Sequence, residues 1–211
     1  MIGKIIPFTS HKKVVNDPNQ VGMFQYYFSD KYSKLPIRDV NNTCGEGNKT
    51  EPHLEIGAEN YIKTCTQNKI SDAIKRGLKY LFLVTQCRNK ELKDFFGKQF
   101  IVGYIQIEES IPRIDKKGKP FWAIRGQSKV FDYKDAICIP DLFGRNLNRG
   151  DLSKKIDEKQ TREFLDHFKD KQDITQEWVD EVNRVDVNQI TCIGAGNCAH
   201  CAQCKRFNKV A

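Results

Sequence analysis

The chain has 211 residues, 39% of them hydrophobic and 29% charged, with a formal net charge of +8. That length suits one domain with an appendage or two small ones, and is enough to bury a core without covalent staples. No stretch approaches the ~18 apolar residues of a membrane span, and the apolar start MIGKIIPF is too short for a signal segment, so a cytoplasmic protein without a membrane partner is expected.

The charge is unevenly placed. Residues 1–150 carry 25 Lys/Arg against 16 Asp/Glu, residues 151–191 carry 7 against 11, and residues 192–211 carry three basic residues and no acid. A basic body argues for a polyanionic partner, because long-range field and counterion release both follow local charge. The plainer alternative is solubility charge on a lysine-rich chain.

Taken in order, Ile5, Ile6 and Phe8 suit a first short strand and Met23–Phe28 a second, with turn chemistry at Asn16-Asp17-Pro18 between them. Residues 41–53 are almost free of apolar side chains and read as a loop. Ile70, Ala73, Ile74, Gly77 and Leu78 recur at helical spacing, with Asn68 or Ser71 as cap. The middle of the chain, 80–107, holds two apolar runs, Tyr80–Val84 and Phe100–Ile107, rich in β-branched and aromatic residues. The dozen residues between them exceed a tight turn and suggest strand, short helix, strand. Phe121–Ile124, Ser128–Phe131 and Ala136–Ile139 give further short strands separated by glycine-bearing turns. From Asp151 the pattern turns helical: Phe164, Leu165 and Phe168 share a face. Asp173 with Gln176 resembles a capping box ahead of Trp178, Val179, Val182 and Val185. The expected fold is α+β: a small curved sheet or β-barrel in 1–150, a helical segment in 151–191 and a Cys-rich tail in 192–211.

The tail carries the strongest chemical signal. Cys192, Cys198, Cys201 and Cys204 fall close together, and the last three form C-x-x-C-x-x-C. Two-residue gaps between small residues let the backbone wrap round an ion, and thiolates select zinc or an iron–sulfur cluster. Three cysteines at such gaps with a fourth nearby resemble [4Fe–4S] ligation, whereas zinc more often joins two C-x-x-C arms; both cofactors stay open. A structural ion folding the tail is the simpler role. His200 is a further ligand for zinc or a bystander. Outside the tail, His11, His53 and His167 are scattered, and neither a nucleophile elbow nor a phosphate loop is present. No catalytic set is legible.

The order of features in 80–139 resembles the PUA-like superfamily, which includes the YTH, EVE and ASCH domains. Leu81–Thr85 runs into a polar end at Gln86–Asn89; a short helical span, the glycine-punctuated Gly97–Ile105 and the aromatic Phe121–Ile124 follow. The resemblance implies a small barrel that binds DNA or RNA and inspects a modified or flipped base. It places Thr85, Gln86, Cys87, Arg88 and Asn89 at the base edge and Trp122, with Phe121 or Tyr104, as a stacking face. Lys116, Lys117, Lys119, Arg125 and Lys129 would meet phosphates. Each has a plainer role: Trp122 as core, Arg88 and Asn89 as the start of a turn or a helix cap, the lysines as a solvated hairpin tip. The alternatives to a binding module are an iron–sulfur or zinc enzyme acting on nucleic acid, such as a nuclease, glycosylase or base-modifying enzyme, and a metal-stabilised protein that meets a protein partner through 151–191.

Overall fold

The computed structural model describes residues 20–38, 53–56, 61–66, 77–114, 120–148, 151 and 155–188. The expected first strand at Ile5–Phe8, the helix expected over 68–78 except for Gly77 and Leu78, which are not helical, the lysines at 116–119 and the four tail cysteines lie outside the described residues.

Among the described residues, eight strands form one mixed sheet. They are β1 (Gln20–Phe28), β2 (His53–Ile56), β3 (Tyr61–Thr66), β4 (Tyr80–Gln86), β5 (Gln99–Ile114), β6 (Pro120–Val130), β7 (Ile137–Cys138) and β8 (Lys155–Asp157). The order across the sheet is β2-β3-β6-β5-β4-β1-β8, with β7 pairing β5. Among the described residues the sheet is open, with β2 and β8 at its edges. Among the described residues, three helices complete the α+β fold: α1 (Ile139–Phe143), α2 (Glu158–Phe168) and α3 (Thr175–Asn188).

The central strand β4 is buried from Leu81 to Thr85, on both faces. This is why its sequence reads as a continuous apolar run and not as an alternation. Leu81 and Leu83 join Met23, Tyr27, Val102 and Trp178 of α3 on one side. Phe82 and Val84 join Phe24, Phe131 and the α2 residues Phe164 and Phe168 on the other. Each fully buried large side chain contributes about 1.5–3 kcal/mol. On the α2 side the rings interlock: Phe131 stacks on Phe168 at 4.3 Å and Phe164 meets Phe82 edge-on at 5.2 Å.

Local sequence explains the helices. Asp157 accepts the Gln160 N–H at 2.8 Å and caps α2, whose buried Thr161, Phe164 and Phe168 recur at helical spacing. The Asp173 carboxylate accepts the Thr175 N–H at 3.0 Å where α3 begins. The segment expected to be helical from Asp151 instead begins with β8, whose buried centre is Ile156 and which pairs antiparallel with β1.

Three expectations about the middle of the chain are corrected. The span before Gly97 forms turns and not a helix. A single i→i+4 bond, Phe96 N–H to Leu92 O at 2.8 Å, is made, while the Asn89 side chain captures the Glu91 N–H. One such turn is too few to propagate. The two short strands at 121–124 and 128–131 are one strand, β6. Gly126 interrupts nothing: it lies where β5 bulges near Ile107 and Glu109, and a Cβ there would sit 1.7 Å from the Gln106 carbonyl oxygen. The apolar run at Ala136–Ile139 divides between β7 and the first residue of α1, where Pro140 suits a helix start.

Candidate functional site

β1 and β4 run parallel, with Phe28 opposite Gln86 at their carboxyl ends. Parallel strands need a long crossover, so their ends meet without a tight turn and leave a crevice, the usual place for a ligand in such sheets. Here the crevice is an open cleft of ≈ 670 Å³ lined by Phe28, Lys31, Gln86, Cys87, Arg88, Lys90, Phe96 and Gly97.

Two hydrogen-bonded segments build its walls. The first, 29–38, is closed at its base by a bridge between Ser29 and Arg38 and by Asp30 N–H donating to the Ile37 carbonyl at 2.9 Å. Within it the buried Asp30 carboxylate accepts the N–H groups of Tyr32 at 2.7 Å and Ser33 at 2.9 Å. From beneath, the Trp178 indole N–H and the Tyr27 hydroxyl both donate to the Pro36 carbonyl. Burial pushes the Tyr27 hydroxyl far above its ordinary value, so it keeps the proton it donates. Glu181 of α3 is held below the usual carboxylate range, chiefly by its hydrogen bonds with Arg184 and also by one with Ser33.

The second wall is 86–98. Ladder bonds continue past β4, with Cys87 N–H to Lys98 O at 3.0 Å and Gly97 N–H to Cys87 O at 2.9 Å. Gly97, at φ 79°, supplies the left-handed residue that closes the turn. Ser29 latches the walls together. Its buried hydroxyl donates to the Gln86 carbonyl at 2.6 Å and accepts the Arg88 N–H at 3.1 Å. The Arg88 guanidinium lies over the Phe28 ring, 5.6 Å from its centroid, a cation–π contact that orients both groups. Gln86 donates its side-chain N–H to the Gly97 carbonyl at 2.7 Å, which fixes the amide plane at the cleft.

The residues expected to contact a ligand divide into several groups. Gln86, Cys87 and Arg88 line the cleft. Thr85 and Asn89 are buried and bond backbone: Thr85 donates to the Tyr27 carbonyl at 2.9 Å, and Asn89 donates to the Ser33 carbonyl at 3.0 Å while its side-chain oxygen accepts the Glu91 N–H. Asn89 therefore starts a turn and joins the two walls. Cys87 forms the floor, and burial pushes its thiol up, which suits packing more than nucleophilic chemistry. Tyr104 lies elsewhere. It is half-buried among Tyr80, Phe82, Phe131 and Phe168, and its hydroxyl is raised first by burial. Its strand position is five residues beyond Gln99, the partner of Gln86, hence about 16 Å away along β5. Lys129 pairs with Tyr104 and is exposed. The backbone carries Phe121, Trp122 and Arg125 to the far end of the β5–β6 hairpin, with Trp122 opposite Pro112, roughly 40 Å along the strand from Gln99. The structure does not bring Trp122 to the polar end of β4.

Phe28, Lys31, Lys90 and Phe96 were not singled out from the sequence. Phe28 ends a recognisable strand, but its parallel partner lies more than fifty residues away in the chain. Phe96 did leave a local signal: two adjacent phenylalanines in a polar span cannot both point inward. Phe95 packs against Phe100 and Tyr133, and Phe96 faces the cleft.

The outer face of α2 exposes Glu158, Lys159, Arg162, Glu163 and Asp166, a surface of mixed sign. Among the described residues no helix is long and apolar enough to cross a membrane, and no His/Cys/Asp/Glu group is placed to hold a metal ion. Comparison with protein-family models, with curated proteins and with solved structures finds no match.

Proposed function

We propose that the protein is a nucleic-acid-binding module, working in the cytoplasm, whose recognition site is the cleft at the carboxyl ends of β1 and β4. The observation that carries this reading is the lining itself: three cations, a fixed amide, the exposed Phe96 ring and the Phe28 ring beneath Arg88, with no acidic residue among the eight. Cations neutralise phosphates, aromatic faces accept bases, and an oriented amide can read a base edge. This combination suits an unpaired or extruded base, modified or not. The PUA-like resemblance points the same way, since it assigns the polar end of β4 to the nucleotide, and Gln86, Cys87 and Arg88 lie there.

The test is titration of the full-length chain with a labelled oligonucleotide over a range of salt. If Lys31, Arg88 and Lys90 each neutralise a phosphate of a single strand, affinity falls about 20-fold between about 50 and 200 mM salt. The combined variant Lys31→Ala, Arg88→Ala, Lys90→Ala binds weakly and loses most of that salt dependence. Binding unchanged in the variant would place the site elsewhere.

The second part of the proposal is a thiolate-bound ion in the tail, held by Cys192, Cys198, Cys201 and Cys204, either a [4Fe–4S] cluster or Zn²⁺. It rests on the spacing of those cysteines. Protein purified without oxygen is expected to be brown and to contain iron and sulfide, or colourless with one equivalent of zinc. Full-length protein containing neither metal would overturn it.

A further inference from the structure

Tyr32 is 83% exposed and Phe96 45%, and they are the exposed large hydrophobic residues among those described. Scattered apolar residues on a surface are ordinary. Phe96 lines the cleft, and Tyr32 follows Lys31, which also lines it. Tyr32 is moreover presented on a rigid support. Its N–H and that of Ser33 bond the buried Asp30 carboxylate; the buried Ser33 carbonyl accepts from Asn89; and the base of the segment is closed by the Ser29–Arg38 bridge. An aromatic ring with few rotatable bonds on a fixed backbone loses little entropy when a ligand covers it. Exposed Lys31 and Lys34 flank it in the chain.

We infer that Tyr32 is a second stacking position, so that the ligand is a single-stranded nucleic acid with one base in the cleft and its neighbour on the Tyr32 ring. This rests on the cleft being the nucleic-acid site. The physical reason for a single strand is that a base in a duplex has both faces covered by its neighbours. Only an unpaired base offers a face to an aromatic ring. A duplex could meet the lysines through its phosphates but could use neither Phe96 nor Tyr32. Two exposed rings, with exposed lysines next to Tyr32 in the chain and others lining the cleft with Phe96, match a backbone carrying alternating phosphates and free bases.

The experiment compares the full-length protein and two variants, Tyr32→Ala and Tyr32→Phe. The probes are a short single-stranded oligonucleotide, in RNA and DNA forms, and a blunt-ended duplex made by annealing it to its complement. The expected result is tighter binding of the single strand than of the duplex. Tyr32→Ala should weaken single-strand binding by about 5- to 150-fold, the range for one lost base–aromatic stack, and Tyr32→Phe, which keeps a ring, should restore most of it. Equal binding of single strand and duplex, with Tyr32→Ala indistinguishable from the parent while the triple-cation variant is weakened, overturns this inference and leaves the cleft as a phosphate-reading site. Binding of neither probe removes the cleft reading and this inference with it.

Discussion

Trp178→Ala is expected to cost about 3–5 kcal/mol of stability, the range for deleting a large aromatic from a packed core. The indole is fully buried in the cluster formed by Tyr27, Leu81, Leu83 and Ile174, so its loss leaves a cavity that rigid neighbours cannot fill. It also holds the Pro36 carbonyl at 3.0 Å. Trp178→Phe separates these contributions. It retains most of the apolar volume and loses the N–H, but the Tyr27 hydroxyl still bonds the same carbonyl. The polar loss should therefore stay near about 1 kcal/mol, because the acceptor is not orphaned. Urea denaturation of the parent and both variants measures this, with an unchanged slope expected. Oligonucleotide affinity should fall more in Trp178→Ala than in Trp178→Phe, since residues 29–38 carry one wall of the cleft. Equal and small losses of stability in both variants would show that Trp178 does not anchor that wall.

Gly103→Ala should also be severely damaging, by about 3 kcal/mol or more, at the top of the range for overpacking. Gly103 stands between Leu83 of β4 and Val130 of β6, next to a bulge. A Cβ there would lie 2.1 Å from the Lys129 carbonyl oxygen and 3.0 Å from the Val130 Cα. Both are backbone atoms, so no rotamer change relieves the clash. Nor can β6 easily retreat. The Val130 carbonyl accepts the Ile174 N–H at 2.8 Å, the Val130 N–H donates to the Thr175 hydroxyl at 3.0 Å, and the Phe131 N–H donates to the Val102 carbonyl at 2.8 Å. Gly97→Ala is the control. It has open space around it, and its cost is the left-handed backbone alone, about 1–2 kcal/mol. If the two substitutions prove equally costly by urea midpoint, close approach is not what selects glycine at 103.

How far the chain could be read without coordinates depended on whether a signal was local. The runs at Met23–Phe28 and Tyr80–Val84 proved to be strands because an apolar, β-branched stretch states its own preference. Phe164 and Phe168 lay on one helical face as their spacing required. Gly126 misled because glycine weakens a strand statistically, whereas here it admits the Gln106 carbonyl. The span 89–97 misled because its helix-forming residues number too few to offset nucleation, and Asn89 diverts a backbone N–H. In the cleft, Gln86 and Arg88 were reachable as the polar end of a strand. Trp122 was grouped with them because a linear order of features says nothing about how far a long hairpin carries an aromatic away.

The amino-acid order alone determined the basic charge of the body, the identity of β1 and β4 as buried strands, the helical face of α2 and the four-cysteine tail. These follow from composition and from periodicities of two and 3.6 residues, which act between neighbours in the chain. Only the tertiary structure decided that β1 lies parallel to β4, that Phe28 therefore stands across from Gln86, and that Lys31, Arg88, Lys90 and Phe96 face one cleft. Parallel pairing joins segments distant in sequence through backbone hydrogen bonds that any side chains permit. The choice of partner is made by how the whole core packs, and no single stretch records it.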